Sequence, residues 1–172
     1  YSNVAIGTEA LFRNTDRNNL VAVGDSALYN NGVGAVGFQG TENSAFGSKA
    51  LFANTTGYYN TATGTNALRS NSTGAQNTAN GTGSLVNNTI GNSNTAMGLN
   101  AMALNNTGNE NTAIGNFAVV NNTSGSRNTG LGNAVLSANT TGNNNTDTGI
   151  SALNNNTTGY SNVAIGTEDL MR

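Results

Sequence analysis

The sequence predicts an all-β chain wound as a parallel β-solenoid, and three observations carry that prediction. A short motif recurs at a fixed spacing of seventeen positions over most of the chain. Two glycines punctuate each period, which marks two turns. Between them lie apolar segments too short for a helical repeat unit, with no 3.6-residue periodicity over any long stretch.

Aligning the chain on Ala-x-Gly places the glycine at Gly7, Gly24, Gly37, Gly47, Gly64, Gly81, Gly98, Gly115, Gly132, Gly149 and Gly166. Every step from Gly47 onward spans seventeen positions, as does the step from Gly7 to Gly24. The steps from Gly24 to Gly37 and from Gly37 to Gly47 are shorter, at thirteen and ten positions. Regular units are therefore expected from residue 43 onward, with shortened units around 25–46. The consensus is N-T-A-x-G-x-x-A-L-x-x-N-T-T-G-x-x, seen clearly in residues 60–76, NTATGTNALRSNSTGAQ.

The fourth position is mostly apolar: Ile6, Val23, Val36, Phe46, Met97, Ile114, Leu131 and Ile165. The ninth is apolar in nearly every unit, from Leu11, Leu28, Leu51, Leu68 and Leu85 through Met102, Val119, Leu136 and Leu153 to Leu170. The third and eighth are mostly Ala. Each unit thus reads as two short strands, each with one large and one small apolar residue. Neighbours in a strand face opposite ways. One face is expected to bury the large residue while the Ala face allows another surface to approach closely. About ten coils stacked roughly 4.8 Å apart make a rod some 45–50 Å long. Its interior suits Ala, Val, Ile and Leu and leaves no room for a pocket.

The turn glycines of the fifteenth position, Gly57, Gly74, Gly91, Gly108, Gly125, Gly142 and Gly159, follow Asn/Thr-rich triplets and are expected at positive φ. The first position carries a column of Asn, from Asn43 and Asn60 to Asn162, able to hydrogen-bond along the coil axis. The nonapeptide YSNVAIGTE stands at Tyr1–Glu9 and again at Tyr160–Glu168. Residues 1–172 are therefore expected to be a single uncapped array that continues or stacks end to end.

Composition narrows the function. Charged residues make up 8% of the chain and the net charge is -2. No basic patch points to nucleic acid or an anionic membrane surface. No apolar run is long enough to insert in a bilayer. His and Cys are absent, which removes the usual acid–base, nucleophilic and metal-binding groups. The carboxylates Glu9, Asp16, Asp25, Glu42, Glu110, Asp147, Glu168 and Asp169 are scattered on the register. No enzyme and no cofactor is expected. Asp147 replaces the third-position Ala, and burying it unpaired would cost several kcal/mol.

The unit N-x-A-x-G-x-x-A-L resembles the head repeats of trimeric autotransporter adhesins of the YadA type, and similar Asn/Thr-rich arrays of tail-fibre and surface-fibre proteins. The match is best at Asn3-Val4-Ala5-Ile6-Gly7 and Asn162-Val163-Ala164-Ile165-Gly166, with Asn111-Thr112-Ala113-Ile114-Gly115 close behind. The resemblance implies a left-handed β-roll, three chains side by side with small-residue faces in contact, and an extracellular, cell-surface or virion-fibre location. This chain departs from the family in its longer unit, its N-T-T-G turn, and the lack of a coiled-coil stalk or membrane anchor among these residues.

Three surface features are candidates for function. The second position supplies a Thr ladder, Thr61, Thr78, Thr95, Thr112, Thr129 and Thr146, which also reads as ordinary strand preference or a chain–chain contact. N-x-S/T sequons at Asn54, Asn71, Asn87, Asn105, Asn121, Asn139 and Asn155 would carry glycan along the turns if the source glycosylates them. Tyr1, Tyr58, Tyr59 and Tyr160 fall at the unit boundary, where they could stack on sugars. The reading that fits best is a structural and adhesive extracellular fibre module. Its partners are copies of itself, as a trimer or an end-to-end filament, and host-surface or matrix glycans or proteins. The other readings are a purely structural, glycosylated filament subunit and an ice-binding solenoid using the Thr ladder.

Overall fold

A computed structural model describes residues 2–167. Tyr1, Glu168, Asp169 and Leu170 lie outside the described residues. The strands are β1 (Asn3–Ile6), β2 (Leu20–Val23), β3 (Ser44–Phe46), β4 (Thr61–Thr63), β5 (Thr78–Asn80), β6 (Thr95–Met97), β7 (Thr112–Ile114), β8 (Thr129–Leu131), β9 (Thr146–Thr148) and β10 (Val163–Ile165). They form one ten-stranded parallel sheet in chain order, so the fold is a parallel β-solenoid. Register follows the repeat: Ala62 pairs with Ala79, and Ala79 with Ala96. At a strand spacing of about 4.8 Å the sheet runs roughly 43 Å along the axis.

The step from β2 to β3 differs. Val23 pairs with Phe46, whereas Phe46 pairs with Thr63, so the coil between β2 and β3 is longer than the next by six positions. The stretch that reads as two shortened units is one lengthened coil. Val36 and Gly37 belong to no strand, and residues 32–40 form turns that extend the coil outward.

Each coil also holds one strand rather than two. The A-L-x-x segment is a run of stacked turns. In the fourth coil Ala67 N donates to Gly64 O at 3.2 Å, Arg69 N to Asn66 O at 3.3 Å and Asn71 N to Leu68 O at 3.1 Å. The alternate amides bond to neighbouring coils instead: Asn66 N to Ser48 O at 2.9 Å and Leu68 N to Ser84 O at 3.0 Å. This requires positive φ at every second residue, 59° at Asn66 and 50° at Leu68. A side chain in that region costs roughly 1–2 kcal/mol. Burying a leucine contributes about 1.5–3 kcal/mol, and the cross-coil hydrogen bonds add to that, so the strained backbone is retained.

The core is a narrow column. Ala62, Ala67, Leu68, Ala79, Leu85, Ala96, Ala101 and Met102 are fully buried, while in the first coil Ala10 and Leu11 are half-buried and Ala5 is exposed. Ala points inward from the strand because the leucine of the facing turn already fills the cross-section. Volume is traded locally. Where Val119 and Val135 replace the usual Leu and Ala, the strand position is Gly130, whose added Cβ would stand 2.7 Å from Val119 Cγ2 and 3.0 Å from Val135 Cγ1.

Two columns of buried asparagine flank this apolar column. In the first, Asn77 Nδ2 donates to Asn60 Oδ1 at 3.2 Å and to Gly91 O at 2.8 Å, while Asn60 Oδ1 also accepts Asn77 N at 3.0 Å. In the second, Asn88 Nδ2 donates to Asn71 Oδ1 at 2.8 Å and to Gly91 O at 3.0 Å. Both columns converge on the carbonyl of one turn glycine per coil. Each of these side-chain N–H groups has a partner, so a polar core is tolerated.

Asn94→Ala tests this arrangement in mid-rod. It strands Gly108 O on one side, and Asn111 N and Nδ2 on the other, without their partner from the first column. The expected loss is about 2–4 kcal/mol in equilibrium denaturation. A loss below about 0.5 kcal/mol, the size of an ordinary surface change, would show that the columns do not hold the coils.

Candidate functional site

Residues two and four of each unit share the outer side of the sheet, opposite the buried third position. The Thr ladder is in register from strand to strand: Thr61 with Thr78, Thr78 with Thr95, Thr95 with Thr112, Thr112 with Thr129, and Thr129 with Thr146. All six are exposed or half-buried. The geometry puts them on one face of the sheet, in line along the axis.

The fourth position reverses the burial expected of it. The large side chains face water and the alanines face the core. Ile6, Phe46, Met97, Ile114, Leu131 and Ile165 are all exposed, Ile165 to 75%. They line up beside the Thr ladder, interrupted by Thr63, Asn80 and Thr148. Small-residue faces therefore cannot serve as a contact between chains, because each coil has consumed its own. What the outer face offers is a Thr row next to a broken apolar row, both repeating at strand spacing.

The candidate glycosylation asparagines divide into two groups. Asn87, Asn121 and Asn155 are exposed. Asn54, Asn71, Asn105 and Asn139 are fully buried members of the second asparagine column. The amide nitrogen that would carry a sugar is occupied in each; Asn71 Nδ2, for example, donates to Asn54 Oδ1 at 2.9 Å and Gly74 O at 2.8 Å. These four cannot bear glycan in this fold. The sequence signal that separates the groups is the register: only the twelfth position, immediately before the T-T-G or its equivalent, points inward.

The turn glycines need a different explanation from the one the motif suggests. Gly57, Gly74, Gly91, Gly108, Gly125, Gly142 and Gly159 are not at positive φ. They are glycine because of close approach. A Cβ on Gly74 would run into Asn71 Oδ1 and Gly91 O, and would lie 2.9 Å from Asn88 Nδ2. Positive φ falls two residues later, on Tyr59, Gln76, Ser93, Glu110 and Arg127.

Asp147 is the exception in the core. It stands in the alanine column between Gly130 and Ala164, fully buried, and neither carboxylate oxygen has a hydrogen-bond partner. Loss of hydration on burial raises its pKa from 3.8 to about 6. Among the described residues no group of three or more His, Cys, Asp or Glu could hold a metal ion, and no helix is long and apolar enough to cross a membrane.

No protein-family model matches the chain, and no curated protein or solved structure matches it.

The Asp147 carboxyl makes stability depend on pH. The folded chain keeps a proton there that the unfolded chain releases once pH exceeds its ordinary 3.8. The contribution of this carboxyl to stability is therefore greatest below about pH 4, falls by about 3 kcal/mol as pH rises to about 6, and is level above that. Asp147→Ala restores the consensus residue. It is expected to flatten this dependence and to raise stability at pH 7 by roughly 2–3 kcal/mol in urea titrations. A wild-type profile that rises between pH 4 and 6 would contradict the assignment.

Proposed function

We propose that this chain is a structural and adhesive extracellular fibre module that associates with copies of itself and presents a repeating polar surface. The observation that carries the reading is the outer sheet face. A chain in water rarely leaves a long row of exposed Ile, Phe, Met and Leu uncovered. Here apolar side chains recur at coil spacing, most continuously at Met97, Ile114 and Leu131, so a copy laid alongside meets similar contacts at several successive steps. Individually weak contacts then sum along the rod. The interior is taken up by the Ala, Leu and Asn columns, so recognition and assembly belong to the surface. The likeness of the N-x-A-x-G-x-x-A-L unit to trimeric adhesin heads supports the same reading and the extracellular location. On this reading the module catalyses nothing; it holds and displays.

The Thr ladder gives the second reading, an ice-binding face. In favour of it stand the in-register rows and the T-x-T pairs Thr61/Thr63 and Thr146/Thr148. Against it stand Phe46, Met97, Ile114 and Leu131, whose larger side chains break the flatness of the face.

Light scattering on the 17.4 kDa chain separates these readings. A trimer or an open filament is expected, and the double variant Met97→Lys/Ile114→Lys should reduce it to the monomer mass without changing the far-ultraviolet circular dichroism. A wild-type chain that stays monomeric and shows thermal hysteresis in freezing assays would replace the fibre reading with the ice-binding one.

A further inference from the structure

We propose that the second and third coils carry a binding site for a neutral sugar ring, built on Phe38, Tyr58 and Tyr59. The proposal rests on the adhesive part of the function above and gives its ligand a chemical class. It starts from the one place where the repeat is broken. In the first coil Arg17 occupies the position of the turn glycine, and in the second coil the turn is lengthened by six positions. These two departures fit each other. The Arg17 side chain is buried, and the lengthened loop closes around its guanidinium. Nη1 donates to Gly37 O at 2.7 Å and Gln39 O at 3.2 Å, and Nη2 to Ala35 O at 3.2 Å. Asp16 completes the shell, with Oδ1 2.7 Å from Nε and Oδ2 2.5 Å from Nη2. That partnership holds the Asp16 carboxyl below its usual pKa. Gly32 and Gly40 pack on the arginine stem so closely that a Cβ on Gly40 would stand 3.2 Å from Arg17 Cγ. The loop is thus a preorganised element with its own internal support.

What the loop presents is aromatic. Phe38 is 61% exposed and meets Tyr58 edge-on, with centroids 4.9 Å apart and planes at 87°. Tyr58 meets Tyr59 in the same way, at 5.1 Å and 76°. Three rings have six faces, and two edge-on contacts cover at most two of them. The other aromatic group of these coils is built differently. Phe12, Tyr29 and Phe52 stack near-parallel, at 14° and 21°, so the faces of Tyr29 are used up by its neighbours. The Phe38–Tyr58–Tyr59 cluster instead brings three rings together with most of their faces uncovered by one another, and an open ring face is what the C–H side of a pyranose packs against.

The surroundings suit a hydroxylated ligand better than an apolar one. Tyr59 N donates to Thr41 O and Gln76 N to Tyr58 O, which sets Glu42 one coil before Tyr59 and Gln76 one coil after it. Glu42, Tyr59 and Gln76 are all exposed. A carboxylate and an amide on either side of a ring supply acceptors and donors for sugar hydroxyls. With no cation in this set, the arrangement favours a neutral sugar over an anionic one. Neither Phe38 nor the Tyr58–Tyr59 pair recurs along the rod, so the site is single, unlike the repeating outer face.

Saturation-transfer NMR and titration with lactose, cellotriose and chitotriose test the proposal. At least one saccharide is expected to bind with a dissociation constant on the order of 1 mM. Tyr59→Asn, chosen because Asn tolerates positive φ, and Phe38→Ser should each weaken binding about tenfold or more. Circular dichroism, melting and the mass by light scattering should not change. The proposal is overturned if none of the three saccharides binds at roughly 10 mM, or if both variants bind as well as the parent. It is also overturned if the variants dissolve the assembly, which would make this cluster a contact between copies. The same samples keep the two readings apart. A sugar-binding monomer removes self-association and leaves the site, whereas an assembled chain without sugar binding does the reverse.

Discussion

The structure depends on the buried amides. Each regular coil contributes two asparagines whose side chains bond to the coils on either side and to one shared glycine carbonyl. These bonds can all be made only at a slip of zero. A shift of one residue would turn both amides outward and break their bonds to the neighbouring coils. Burying an amide without its partners costs about 1–3 kcal/mol each, so the penalty for a wrong register recurs at every coil. The hydrophobic column opposes the same slip, because it would turn the inward Ala and Leu to water. The polar columns add a directional penalty at every coil.

Much of the unusual composition follows from that constraint. The turn glycine exists because two amides and the next coil's carbonyl crowd its α-carbon. The leucine of the second segment accepts positive φ because alternate amides must reach neighbouring coils. Small residues sit on the inner side of the strand because the leucine of the facing turn has taken the space. Gly130, Val119 and Val135 show the same volume shared out differently. Asp147 shows what happens when a residue enters the column with no compensating partner: its charge is suppressed by burial rather than neutralised by a neighbour.

Once the interior is consumed in this way, only outward-facing residues are free to vary. Two outward-facing regions bear on function. On the strands lies the mixed Thr and apolar face. In the second coil lie the lengthened turn around Arg17 and the aromatic side chains beside it. The first surface repeats and suits association along a rod, while the second is singular and suits recognition. A regular scaffold with one supported irregularity separates these tasks physically, since the loop draws its order from Arg17 and not from the outer face.

The sequence by itself determined the period, the parallel solenoid and the stacking of the first asparagine column. A seventeen-residue repeat with fixed glycines admits few other ways of satisfying its backbone. It did not determine which side of each strand faces inward, because alternation specifies two faces without ranking them. Ile114 and Ala113 exchange roles only when the facing leucine is placed. Nor did it reveal that Asn54, Asn71, Asn105 and Asn139 are buried, since an N-T-T-G turn reads as exposed until both amide columns meet at its carbonyl. The short intervals around Gly37 looked like two small coils because the motif glycine happens to recur in the loop. Only the tertiary structure, by packing that loop around Arg17, decided that they are one.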